Sequence, residues 1–243
     1  MNDRRLLLLN SLALGLIASG CANKKPVDDS IPRKSVAILG VVQQPGLSVP
    51  VNESRLATDL GILLREEQRY AVMPYNQVRL AIGANRQDLL MRRLANAGQM
   101  DDIDLEMLKS TNLPTRMGVA LTLTGNSVTY PDPVPTRIRD NQGRLLNDRT
   151  LVTLSAMRSV SMTATVVEMG AGQVRMHDSF TYQSVERKQF VSYTGSSFTG
   201  SLAARLANTV SNGVRAPDSP AAPGIYSSFY ELLNDVAEKL PIA

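Results

Sequence analysis

The stretch MTATVVEMGAGQVRMHDSF, residues Met162 to Phe180, decides the fold. Apolar and polar residues alternate on both sides of Gly170-Ala171-Gly172. A period of two belongs to a strand with one buried face and one wet face. The alternation begins earlier: Val152, Leu154, Ala156, Val160, Met162, Ala164 and Val166 share one face, and Thr153, Ser155, Ser159, Ser161, Thr163 and Thr165 the other. Beyond the glycines, Val174, Met176, Phe180 and Tyr182 continue an apolar face. Centring the turn on Ala171 sets Val166 opposite Met176 and Met162 opposite Phe180, so the two apolar faces coincide. A slip of one residue would turn every apolar side chain outward, and the pattern therefore predicts one antiparallel hairpin in one register.

Working outward, Val119, Leu121 and Leu123 alternate with Ala120, Thr122 and Thr124, which predicts a strand from Met117. Residues 35–42, SVAILGVV, are continuously apolar and rich in β-branched side chains, as in a strand buried on both faces. A short strand is predicted at Tyr70–Met73, ended by Pro74. Between these strands, Asn52 precedes a helical stripe of Leu56, Leu60, Leu63 and Leu64. Short helices are predicted over 75–82, 86–97 and 102–110, another over 201–212, and an amphipathic one carrying Phe229, Leu232, Leu233, Val236 and Leu240. The expected fold is α+β: a small mixed sheet ending in an antiparallel meander, with helices packed on one face.

The 243 residues include 26 Lys and Arg against 22 Asp and Glu, for a net charge of +4. Those charges are interspersed, as in Glu186-Arg187-Lys188, with no basic stripe interleaved with aromatics, so no nucleic-acid partner is expected. Cys21 is the only cysteine, which leaves no intrachain disulfide. It follows Arg4, Arg5, an apolar run of about a dozen residues and the small residues Ala18, Ser19 and Gly20. That run is too short to span a bilayer, which needs about 20 residues, and reads as an export signal over residues 1–20.

Ala18-Ser19-Gly20-Cys21 resembles the lipobox of bacterial lipoprotein precursors. The resemblance implies acylation of Cys21, and Ala22 after it implies passage to the outer membrane, with the domain facing the periplasm. Residues 22–34 are polar, contain Pro26 and Pro32, and read as a linker reaching about 40–45 Å when extended. Residues 35–243 form the expected single periplasmic domain.

Taken with SVAILGVV, the stretches QRYAVMPYNQVRLAI (68–82), GVALTLTG (118–125) and MTATVVEMGAGQVRMHDSF resemble a family of bacterial envelope lipoproteins. It includes the curli-secretion channel subunit and the lipoprotein activators of penicillin-binding proteins, and its fold is similar to the N-terminal domain of the Tol-system translocation protein. In that resemblance Gly125 closes the third strand. Activators of penicillin-binding proteins carry long disordered tethers, whereas the linker here is short, so the expected partner is an envelope protein close to the membrane.

The chemistry-bearing residues are few. His177, the single histidine, falls on the polar face of its strand. No nucleophile elbow, phosphate loop or dinucleotide fingerprint is present, and no cofactor, metal or enzymatic activity is expected. The cluster Asp101, Asp102 and Asp104 is read as the acidic start of a helix. Arg158 and Asp178 interrupt apolar strand faces. The hairpin register sets Arg158 opposite Ser184 and Asp178 opposite Ala164. Each is expected to find a partner in a covering element or at a sheet end, or else to contact a protein partner. The function expected is that of a non-enzymatic accessory lipoprotein docking an envelope assembly. The alternative is a self-assembling pore, with homo-oligomers in either case open. A pore needs added hairpins, for which 126–151 and 184–202 are the two candidate places. The first, which holds the 131–149 insertion, would set Pro131, Pro133, Pro135 and several arginines against lipid, which is unfavourable. The second is short, with Tyr193 and Phe198 as isolated aromatics.

Overall fold

The computed structural model describes residues 34–67, 69–193 and 219–240, all within one compact unit. The strands are β1 (Lys34–Gln43), β2 (Tyr70–Met73), β3 (Met117–Thr129), β4 (Val134–Arg139), β5 (Leu145–Glu168) and β6 (Gln173–Tyr193). The helices are α1 (Glu53–Glu66), α2 (Tyr75–Ile82), α3 (Ala84–Ala97), α4 (Asp102–Ser110) and α5 (Ile225–Lys239). Cys21, its preceding lipobox residues and the helix expected over 201–212 lie outside the described residues. Lys34, the last residue assigned to the linker, already pairs with Tyr70 in the sheet.

The six strands form one mixed sheet in the order β2-β1-β3-β5, with β1 parallel to both its neighbours and β3, β5 and β6 antiparallel. The α+β class is as expected. The single helical layer is not, because helices cover both faces. Val36 and Ile38 point to a core closed by α1 and α5, through Leu56, Leu60, Leu64, Phe229, Leu233 and Val236. Ala37 and Leu39 point to a second core closed by α2, α3 and α4, through Val78, Leu90, Leu94 and Leu108. A strand that is apolar on both sides needs a cover on both sides.

The hairpin register is the one read from the sequence: Val166 pairs with Met176 and Met162 with Phe180. Near the turn the ladder shifts by one residue, Val167 pairing with Val174, so Val174 leaves the apolar face and is exposed. A second bulge lies in β1 between Ile38 and Gly40. Gly125 does not end β3. It sits at a bulge where the strand runs on to Thr129, so close to Ser161 that a side chain there would collide with the serine hydroxyl. Gly118 lets β3 approach its cover, since a Cβ there would stand 2.8 Å from the Met169 sulfur and 2.9 Å from Leu39.

The 131–149 insertion is built rather than irregular. β3 and β4 lie end to end along the same edge of β5, pairing with Met157–Glu168 and with Leu145–Thr153, while β6 takes the other edge from Arg149 onward. Tyr130-Pro131-Asp132-Pro133 separates β3 from β4, where prolines remove ladder donors. The result is a three-stranded ribbon whose central strand has 24 residues, about 80 Å at 3.3 Å per residue. The helical layers cover only its inner half, and no residue from 130 to 155 is buried.

Candidate functional site

The two charges that broke the strand pattern have different surroundings. Arg158 is half-buried where β5 leaves the core: its Nε donates to the Pro223 carbonyl at 2.6 Å and its Nη1 to Asn126 Oδ1 at 2.6 Å. It ties β5 to the segment leading into α5, and Ser184, opposite it, stands 2.8 Å from Ser228 of α5. Asp178 is exposed and opposite Ala164, as the register required. Among the described residues it has no ion-pair partner. It lines a 400 Å³ groove between β6 and α5, together with Phe180, Asp235 and Lys239, whose ammonium lies 5.6 Å from the Phe180 ring centre.

The far face of the hairpin is a ladder of hydroxyls. Thr163 and Ser179 are 3.1 Å apart, Thr124 donates to Ser161 at 3.1 Å, and Thr165 Oγ1 stands 3.0 Å from His177 Nδ1. His177 is thus a member of that ladder. Among the described residues no group of three His, Cys, Asp or Glu side chains could hold a metal. Asp101 caps α4 by accepting from the Asp104 amide at 2.8 Å. Asp104 turns inward, 3.0 Å from Arg93 Nε, and burial raises its carboxyl above the usual range despite that arginine.

The ribbon beyond the helices presents backbone and side chains together. The regular ladder from Arg149↔Tyr193 to Val166↔Met176 fixes which residues share a face. Val134 of β4, Leu151 and Met157 of β5, and Val185 and Arg187 of β6 fall on the side away from α5. Val134 and Val185 are largely exposed. Arg144 and Arg149 pair with Asp140 and Asp148, and Arg139 donates to the Gly143 carbonyl, which stiffens the β4–β5 turn. β4 and β6 are the edge strands along this length: among the described residues each pairs with no strand but β5. The sequence offers 126–151 and 184–202 only as candidate places for added hairpins, because charges and prolines mask the alternation there. Among the described residues no helix is long and apolar enough to cross a membrane.

No protein-family model matches the sequence, and no characterised protein sequence matches it. Among solved structures, lipoprotein GNA1162 from Neisseria meningitidis is similar over 74% of this chain and 98% of its own, at 17% identity and a TM-score of 0.35. The hypothetical protein CT253 from Chlamydia trachomatis is similar over 86% of this chain and 96% of its own, at 13% identity and a TM-score of 0.41. Both are distant likenesses, and neither bears on what this chain does.

Proposed function

We propose that this chain is a non-enzymatic lipoprotein, anchored in the outer membrane through Cys21, that docks and supports an envelope assembly from the periplasmic side. The projecting ribbon carries the reading. A body that needed only to be stable would not extend strands past its own core, where open edges invite pairing with another chain. The lipobox supplies the anchor. The resemblance to lipoproteins implies three acyl chains on Cys21, which at about 0.8 kcal/mol per buried CH₂ would hold such a domain permanently.

A pore subunit is the second reading, and it is favoured by the same β4–β5 hairpin, since shared barrels are built from projecting hairpins. Against it stand Pro131, Pro133 and Pro135 and the arginines of that hairpin, which suit an aqueous surface. Two measurements decide. Labelled palmitate should enter the wild type and not Cys21→Ser. A photo-crosslinking residue at Val134 should capture one other envelope protein in intact cells. A ladder of self-conjugates from that position would instead establish the pore, and no conjugate at all would refute docking through the ribbon.

A further inference from the structure

β6 has 21 residues, and from 173 to 190 its outer edge pairs with no strand among the described residues. Natural sheets rarely leave so long an edge bare. The charges on its α5 side are arranged around its middle: Asp178 on one side of Gln183, and Glu186 and Lys188 on the other, while Arg175 pairs with Glu168 and Arg187 faces away. Asp178, Glu186 and Lys188 point to the α5 side of the sheet, where the β6–α5 groove opens. Among the described residues none of the three has an ion-pair partner.

We infer that this edge pairs antiparallel with the β6 edge of a second copy, about a two-fold axis at Gln183. An isologous contact sets each residue opposite its mirror number. With the axis at Gln183, Asp178 faces Lys188 of the second copy, and the reverse pair repeats it. Glu186 of the second copy falls opposite Phe180, beneath Lys239, and Met176 falls opposite Phe190. The groove, lined by Asp178, Asp235 and Lys239, thus receives Glu186 and Lys188 of the second copy, with Lys188 against Asp178 and Glu186 against Lys239, while Arg187 between them faces the other side of the sheet. Moving the axis to Tyr182 would set Asp178 opposite Glu186 in both copies, a repulsive pair. Moving it to Ser184 would set Asp178 and Lys188 opposite Phe190 and Phe180. Charge selects the register, and the occupant that carries the complementary charges is this same strand. The β4 edge and the ribbon tip stay free for the docking proposed above.

The test uses the full chain, in cells and purified in detergent. Gln183→Cys should give a disulfide-linked dimer under mild oxidation. Thr181→Cys should not, because symmetric copies of that residue lie about 13 Å apart, four residues at 3.3 Å. The wild type controls for Cys21. Asp178→Lys and Lys188→Asp, both surface changes whose folding is checked by circular dichroism, should each weaken self-association at least about tenfold. Combining them should restore it. A chain that stays monomeric, equal crosslinking at 181 and 183, or a double variant that stays dissociated overturns the pairing. So does a disulfide between the Gln183→Cys variant and a different protein, an outcome that would leave the docking function standing.

Discussion

Gln87 shows how a single side chain repairs a local irregularity. The bulge in β1 frees the Leu39 carbonyl from the ladder, and the fully buried Gln87 amide donates to it. Gln87→Leu keeps the volume but orphans a buried carbonyl, which should lower the unfolding free energy by about 1–3 kcal/mol in a denaturant titration. The acidic residues act in opposite senses. The Arg79 guanidinium holds Asp88 below the usual carboxylate range, and Arg175 does the same for Glu168. A depressed carboxyl contributes stability above its unfolded pKa of about 4, lost as pH falls through the lower folded value. Asp104, raised by burial, works the other way, its contribution declining as pH rises from the carboxylate range toward its folded value. Asp88→Asn should therefore flatten the acid limb of a plot of Tm against pH and leave the neutral limb nearly parallel to wild type. Asp104 was partly legible in the sequence, for it stands four residues before the buried Leu108 and so shares its stripe. Nothing in the sequence named Arg93 as its partner, because that contact joins two helices.

At the scale of elements, patterns with a strong period were legible and patterns broken by charge were not. The hairpin register, the α1 stripe capped by Asn52 and the α5 stripe all follow from residue spacing. The outer ribbon did not, because its strands are half-exposed and prolines and charges mask their alternation. Helix α5 is held by packing and by its ends. Phe229 and Val236 are fully buried, and Arg69 donates to the Ala237 and Glu238 carbonyls, where a cation suits the helix C-terminus. Phe229→Ala should lower the unfolding free energy by about 3–5 kcal/mol, read from the denaturant midpoint. Arg158→Met should act more locally. By releasing Pro223 and Asn126 it should speed hydrogen exchange in residues 225–240 while β1 and β3 keep their protection.

At the scale of the whole molecule, the body and the ribbon are energetically separable, since every buried residue between β3 and β6 lies outside 130–155. Joining Tyr130 to Ala156 through an Asn-Gly turn should change the unfolding free energy by no more than about 1 kcal/mol. The same excision should abolish co-purification of the docked envelope protein, which a thermal melt and a pull-down on one preparation would read together. The sheet class was legible because its strands carry clean periods. That the sheet would be covered twice was implicit in SVAILGVV, and the second core of α2, α3 and α4 is its consequence.

The unbroken course of β5 has a mechanical meaning. One strand runs from the outer turn into the centre of the sheet, flanked by β3 and β6 for its inner half. A tug on the tip along the strand direction would load those two ladders in shear, so that many hydrogen bonds resist at once rather than peeling one by one. A strand set into the body in this way is a rigid lever, able to pass force from whatever grips its end into the folded domain without unravelling it.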